Sequence, residues 1–556
     1  MAYVKPGVEI TQVQRSFSPS LIAPDLGAVL VAPAYKVVPH EGTDAYTYWQ
    51  TFSASANTTV NISGLSALTS DLYLDGTSVF VDLVKTTGTV TGRIHLDNTQ
   101  LTGPADGAIS FVVGSGVLSG VVTTPSDWTG AQIRVGYRAL RKDLTGFFTF
   151  EGLDDITNVF GGGQTLYDNP LPFSLSLALQ NTSASVFGYA LQADEFASLL
   201  GSGVSSTADA HTQAMSKLEN YEVYAIAPYT QTNSILASYT VHCNSMSLPT
   251  EKHERIVFGS PEIKFYNSSD APVTSTTVTV SKAATARKIR DEAAVILNKR
   301  TFFVRPHVVY FPVSQVPVQK LKPAYMNNIF NLTETYYAKL ALPVTLTLSD
   351  STTRYYTAGT EINDTVYAYL KDAQNAYKFD VLMPTPGSYL ASCVVGQVSG
   401  VQPEQGHTNL PIAGPTEIKF GNDFFSESNL NTIAEGGNYQ TINLAGSIVS
   451  RHQLSTNMNS VQERELNIIK TVDYVAKYIR SSLVGFIGRS LITPGFLSVV
   501  GAIINGLGST LMKDGRLNGF KLNGVKQDEV QKDVVRVSLE IQPKYPVNYI
   551  KVDLIF

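Results

Sequence analysis

Cysteine is almost missing from this chain: Cys243 and Cys393 are the only two in 556 residues. Two thiols make no disulfide framework, and no CxxC pair is present to hold zinc. They read as buried thiols of a reducing compartment. Charge is also sparse, at 16 % of residues against roughly 25 % in an average soluble protein. Lys and Arg number 41 and Asp and Glu 46, for a net charge of −5 and a pI near 5.9. The lack of a basic excess excludes a dedicated nucleic-acid binder. The opening residues lack the apolar run of a secretory leader, so triplets such as Asn181-Thr-Ser are not read as glycosylation sites. One long uncharged run exists, Leu491–Met512, but it contains Pro494, Asn505 and glycines 495, 501, 506 and 508. It reads as a buried or interface helix with Thr493 as N-cap and Pro494 at its first position, rather than as a membrane span.

Catalytic and metal-binding patterns are equally scarce. Gly161-Gly162-Gly163 lacks both the Lys-Ser/Thr ending of a phosphate loop and dinucleotide spacing, and reads as a turn. Asp71 to Asp82 partly mimics a calcium loop, but its third position is Tyr73, which cannot supply the carboxylate. The eight histidines are scattered, with no HExxH and no G-x-S-x-G elbow in the chain. His242 and Cys243 are neighbours on a predicted helix and point about 100° apart, poorly placed to share a metal. No catalytic residue, metal ligand or cofactor is assigned, and an enzymatic role is not expected.

What the chain does have is enough apolar sequence, 43 %, for three or four domains at about 150 residues each. Residues 1–24 form no unit of their own: Pro6, Pro19 and Pro24 forbid a long helix, and Val8-Glu-Ile alternates like a strand. Residues 26–36 read as a buried strand. Residues 41–134 are rich in Thr, Val, Ser and Gly with turn pairs such as Asp75-Gly76, which predicts a β-sandwich or barrel with a hairpin at Tyr73–Val81. From 150 to 312 helical patterns alternate with short apolar strands, ending in Arg255-Ile-Val-Phe-Gly and Thr301-Phe-Phe-Val-Arg, as in an α/β sheet. Residues 340–370 return to β.

An amphipathic helix is predicted over 461–482. Leu466, Ile469, Val472, Ala476, Ile479 and Leu483 recur at steps of three and four, with Glu463, Asn467, Lys470, Tyr474 and Lys477 opposite. Lys470, Lys477, Arg480 and Arg489 then form a basic strip suited to an acidic partner. Two Asn-Gly pairs, 518–519 and 523–524, read as turns. Two alternating strands follow, Val535–Gln542 and Tyr549–Phe556. Strand-forming segments thus lie at both extremities, where unpaired backbone needs a partner. Pairing with a neighbouring copy would be β-augmentation and, repeated, would build a ring or filament.

Several segments, in order, resemble the contractile phage tail sheath family, with the nearest likeness to sheaths of Mu-like long-tailed phages. They are Pro6-Gly7-Val8-Glu9-Ile10; Asp154-Asp155-Ile156 to Phe160-Gly161; Asn169-Pro170-Leu171; Leu177-Ala-Leu-Gln-Asn181; Arg255-Ile-Val-Phe-Gly; Asn298-Lys-Arg-Thr-Phe-Phe-Val; Pro384-Thr-Pro-Gly-Ser-Tyr-Leu-Ala-Ser with Gly396, Pro403 and Thr408-Asn409; Phe425–Gly437; Arg451; and Val534–Phe556.

The resemblance implies an α+β multidomain subunit. An extended arm would span 1–24. A central α/β sheath domain would be built from 25–40 and 135–420, with a β insertion near 313–380. A β-rich outer domain, 41–134, would be inserted near the N-terminus. A tube-proximal assembly domain would cover 421–543, and a strand arm 544–556. It implies a homo-oligomer of stacked rings forming a helical sheath, with the tail tube, baseplate and tail terminator proteins as partners. Direct nucleic-acid contact and membrane insertion are not expected. The protein would assemble in the host cytoplasm and reside in the virion tail. Inter-subunit strand pairing falls to Val8, Ile10, Val13, Val535, Val537, Leu539, Ile541, Ile550, Val552, Leu554 and Phe556, and tube contact to Lys470, Lys477, Arg480 and Arg489. The competing readings are a β-rich tail fibre or adhesin, from the Ser/Thr-rich block, and a nucleotide-binding α/β enzyme.

Overall fold

The computed structural model describes residues 26–548, apart from 35, 38–47, 54–58, 63–71, 85–89, 96–108, 115–116, 124–131, 142–144, 162–168, 192–207, 274–277, 331, 333, 374, 377 and 419–423. The fold is mixed α/β with several sheets. Two compact units are present, one from 25 to 469 and a second that takes in the chain from 470 onward.

The first unit is organised by an eight-stranded sheet. Its strands and helices in chain order are β1 (Ala28–Pro33), β2 (Gly146–Phe150), α1 (Pro170–Leu179), β3 (Val186–Leu191), α2 (Ala208–Leu218), β4 (Ala225–Pro228), α3 (Asn233–Met246), β5 (Ile256–Gly259), α4 (Lys282–Ile296), β6 (Thr301–Arg305), α5 (Ser388–Gly400), β7 (Tyr439–Leu444) and β8 (Ser447–Gln453). The spatial order is β2-β3-β1-β4-β5-β6-β7-β8. The run from β3 to β7 is parallel, and β2 and β8 close the edges antiparallel. Every residue of β1, β4, β5 and β6 is buried, as strands covered on both faces must be.

The two faces can be told apart on β3. Phe187 and Tyr189 join the cluster in which Val29, Val31 and Ile226 meet Met215 of α2 and Tyr239 of α3, and α4 packs beside α3 through Leu236, Ala293 and Phe303. The intervening Gly188 looks the other way, where an added Cβ would lie 3.3 Å from Leu175 of α1. Helices α1 and α5 are buried almost all round. They touch where Gly396 meets the backbone of Ala178: a Cβ at 396 would sit 2.3 Å from the Ala178 carbonyl oxygen.

Two arginines lie entirely inside this unit. Arg255 donates to the carbonyls of Leu218 and Tyr221 at the end of α2 and to His242 Nε2, at 3.1–3.2 Å. Arg305 donates to the Pro261 carbonyl, Asn438 Oδ1 and Glu292 Oε2 at 2.7, 3.1 and 2.5 Å. All three Arg305 nitrogens find acceptors, whereas the Arg255 Nε–H is left without one; a guanidinium is tolerated inside a protein when most of its fork is filled.

Smaller antiparallel sheets surround this framework. One orders Lys339–Leu340, Lys378–Pro386, Val308–Pro317 and Glu417–Ile418, with a hairpin of Val344–Thr347 and Thr353–Tyr356 nearby in sequence. Residues 36–141 supply two more: a five-stranded sheet in which Gln132–Arg141 pairs with three other strands, and a three-stranded sheet of Thr59–Ile62, Val117–Thr123 and Ile109–Gly114.

Three local readings are corrected by this geometry. Asp75-Gly76 does not turn a hairpin: Leu72–Val84 is one strand, and both halves pair with Gln132–Arg141 across a register shift between Asp75 and Phe80. An Asp-Gly pair makes a hairpin only when its flanks pair with each other; a common third strand turns the extra residues into a bulge. Asn518-Gly519 and Asn523-Gly524 also lie inside a single strand, at its two register shifts. The predicted helix over 461–482 is broken at extended Glu465, giving Val461–Arg464 and then Leu466–Leu483.

Candidate assembly interface

Four elements build the candidate interface: α6 (Leu466–Leu483), α7 (Pro494–Lys513), β9 (Leu517–Gln527) and β10 (Val535–Pro543). The sequence dictates most of α7. Thr493 caps it, its side chain accepting from the Phe496 N–H at 3.1 Å, and Pro494 opens it. Val500, Ile504, Leu507, Gly508 and Leu511 form its buried stripe. That stripe faces β9: a Cβ on Gly501 would touch Leu522 and Val525, and one on Gly508 would sit 2.1 Å from the Phe520 ring. Glycine at 508 is what lets the ring lie on the helix.

The strands β9 and β10 form a two-stranded antiparallel ribbon. Phe520, Leu522 and Val525 stand opposite Ile541, Leu539 and Val537, and directly opposed residues share a face. The apolar half of β10 therefore turns toward α7, half-buried, while Arg536, Ser538, Glu540 and Gln542 are exposed. The Asn523-Gly524 bulge keeps this phase: the four residues Leu522 to Val525 oppose the three from Leu539 to Val537. Without the extra residue Val525 would turn to the outer face. The connection is made instead by 528–534, where the Asp528 carboxylate accepts the N–H groups of Val530 and Gln531 at 2.8 Å and pairs with Arg536. Among the described residues neither β9 nor β10 has a second strand partner, and an edge strand of this kind is a template for a further strand.

The expected strand-pairing residues divide accordingly. Val535, Val537, Leu539 and Ile541 lie together on β10. Val8, Ile10, Val13, Ile550, Val552, Leu554 and Phe556 lie outside the described residues.

The expected basic strip is corrected. Lys470 and Lys477 are buried, Arg480 is half-buried, and only Arg489 is exposed. The buried stripe of α6 runs through Asn467, Lys470, Thr471, Tyr474, Val475, Tyr478 and Ser482, while Val472 is exposed. Leu466, Ile468, Ile469, Asp473 and Lys477 are buried as well, so the helix is covered almost all round through Tyr478 rather than along the aliphatic stripe alone. Tyrosines present large apolar bodies, and lysines bury their methylene stems beside them. Tyr474 stacks on Tyr478, and the Arg516 guanidinium lies 4.6 Å from the Tyr474 ring centre.

A different surface stands out, one that the sequence reading passed over. Val484, Ile487 and Leu491 are 61, 72 and 84 % exposed, three large aliphatic side chains within eight residues. The signal in the sequence is aliphatic residues at steps of three and four just past the predicted helix end at 482.

Several buried groups in the first unit are held in their neutral forms. Burial lowers His211 and His242 to about 4, with Arg255 adding to the effect at His242. Burial, with Arg305, lowers His307 to about 3, and burial, with Arg451, lowers His452 to about 4. Burial raises the Cys243 thiol to about 12 and the Cys393 thiol further.

No family model and no curated protein matches the chain. Solved structures that it is similar to include the helical sheath of the anti-feeding prophage in its contracted state, at 10 % identity over 74 % of this chain and 88 % of that one, with a TM-score of 0.44. The sheath tail protein of Desulfitobacterium hafniense is 8 % identical over 98 % of this chain and 100 % of its own, with a TM-score of 0.39. The sheath tail protein of Listeria innocua is 8 % identical over 94 % of this chain and 92 % of its own, with a TM-score of 0.38.

Proposed function

We propose that this chain is the structural subunit of a contractile tail sheath of a phage or phage-like particle, which polymerises around a tail tube and shortens to drive it through an envelope. The observation that carries the reading is the β9–β10 ribbon, which has no third strand among the described residues and is backed by an apolar helix. Such a ribbon is an unfinished sheet. Strand-forming sequence at both ends of the chain, Val8–Val13 and Ile550–Phe556, supplies what a neighbouring copy would need to finish it. An added strand of six or seven residues turns about half its backbone groups toward the edge it joins. At about 0.5–1.5 kcal/mol per net hydrogen bond, each arm contributes several kcal/mol. Two arms per subunit hold neighbours together while the bodies move, with Thr11–Pro24 and Pro543–Pro546 as hinges.

In this reading the three-layer unit is the central sheath domain, the sheets of 36–141 and the segment near 313–380 are outward insertions, and the chain beyond 470 is the assembly domain. The tube lies against Val484–Leu491, in place of the basic strip, because those side chains are the exposed ones. Baseplate and terminator proteins close the two ends of the polymer, which assembles in the host cytoplasm and resides in the particle's tail. Contraction needs no nucleotide; its energy lies in an extended assembly less stable than the shortened one and held behind a barrier.

Removing residues 1–20 tests the proposal. The shortened protein is expected to keep native circular dichroism and to remain monomeric by light scattering, with no tubes in negative-stain micrographs. Normal tubes from the shortened protein would refute strand exchange.

A further inference from the structure

The first unit contains a cavity of about 780 Å³ at the carboxyl edge of β4 and β5, walled by the first turn of α3, the segment after β5 and one side of α4. Open α/β sheets take ligands at this edge, and the volume is that of a small-molecule site. Its walls are held in place by hydrogen bonds. Gln231 donates to the His307 carbonyl at 2.7 Å, Ser388 to the Thr230 carbonyl at 3.1 Å, and Asn233 to Glu292 at 2.8 Å. Glu292 is fixed from behind by the buried Arg305.

The chemistry of the lining selects the ligand. Three carboxylates line it: Asp291 is paired with Arg290 at 2.8 Å, Glu292 with the Arg305 guanidinium behind the wall, and Glu262 shares the lining with Lys264 and Lys288. The site is therefore close to neutral and does not favour a strongly charged ligand. Between the charges are neutral donors and acceptors on Thr230, Gln231, Thr232 and Ser234, and the rings of Tyr229 and Tyr266 offer apolar faces. Carboxylates and amides accept hydroxyl protons in pairs, and hydroxyl oxygens accept from amides and ammonium groups. We infer that the cavity is a binding site for a neutral, hydroxyl-rich ligand of the size of a mono- or disaccharide. The inference does not depend on the assembly reading: the site lies wholly within the first unit and uses none of the ribbon.

The test is calorimetric titration of the full chain with glucose, galactose, N-acetylglucosamine and maltose, each against adenosine monophosphate and inorganic phosphate. At least one saccharide is expected to bind with a Kd of about 1 mM. Ser234→Trp places a ring in the cavity from an exposed position on the first turn of α3 and is expected to weaken binding at least about tenfold. Asp291→Asn, at an exposed position on α4, removes a charged acceptor without filling space and is expected to weaken it about threefold to tenfold. Unchanged circular dichroism shows that both variants fold. The inference is overturned if no saccharide binds, if binding survives Ser234→Trp, or if phosphate or the nucleotide binds in their place.

Discussion

Gly396→Ala gives the most direct test of the packing between α1 and α5. In an exposed helix this change is favourable by about 0.5–1 kcal/mol, because alanine loses less backbone freedom on folding. Here the new methyl would lie 2.3 Å from the Ala178 carbonyl oxygen and 2.8 Å from its Cα. Both are backbone atoms of a buried helix, so no side chain can swing aside. Restoring a contact of about 3.5 Å requires the helices to part by roughly 1 Å, and a gap of that size forfeits a quarter to a half of the dispersion energy along the seam. Overpacking of this kind costs about 1–3 kcal/mol, occasionally more, and it must also overcome the helical gain. The expected net loss is about 2 kcal/mol, read as a lower urea midpoint at constant slope. Gly506→Ala is the control: its added Cβ meets nothing within 4 Å on the same kind of element, and stability should rise by about 0.5–1 kcal/mol. If Gly396→Ala is as stable as the parent, the close approach of α1 and α5 is wrong.

Acid should unfold the first unit early. His211, His242, His307 and His452 are held well below the ordinary 6.5, so the unfolded chain takes up protons that the fold refuses. Their contribution is complete above pH 6.5 and falls as pH drops toward 4 and then 3. At pH 5 each has lost on the order of 2 kcal/mol, and urea midpoints equal at pH 7 and 5 would show that the histidines are not buried neutral. Gly508→Ala should force the Phe520 ring off α7 and speed hydrogen exchange along β9 and β10; unchanged protection there would contradict the packing. Ile487→Asp and Leu491→Asp should leave the monomer's melting temperature unchanged and suppress assembly on purified tubes. If Arg489→Glu does so and the aspartates do not, the contact is electrostatic after all.

Much of the framework was legible before any coordinates, for reasons that can be named. The helices at 208–218, 233–246 and 282–296 announce themselves by periodicity, and each leads into a short, mostly apolar strand that suits a sheet covered on both faces. Thr493-Pro494 marks a helix start by local chemistry alone. The failures share a different origin. Asp75-Gly76 and the two Asn-Gly pairs have the residues of tight turns, yet whether such a pair turns or bulges depends on which strand lies opposite. Lys470 and Lys477 look solvent-facing because charge normally stays in water; Tyr474 and Tyr478 carry the buried face of α6 instead. The cavity at the edge of β4 and β5 draws its walls from residues 229–388, and no window of sequence contains it.

The sequence by itself determined where helices start, which strands are buried on both sides and which alternate, because backbone propensity, capping and apolar spacing act over a few residues. Only the tertiary structure decided the strand order, the partners of Arg255 and Arg305, the fit of Gly396 and Gly508 against their neighbours, and the pairing of β9 with β10. Those depend on contacts between residues far apart in the chain, such as Asn181 donating to the Ala413 carbonyl 232 positions away, and the free energy of such contacts is set by geometry that no local pattern encodes.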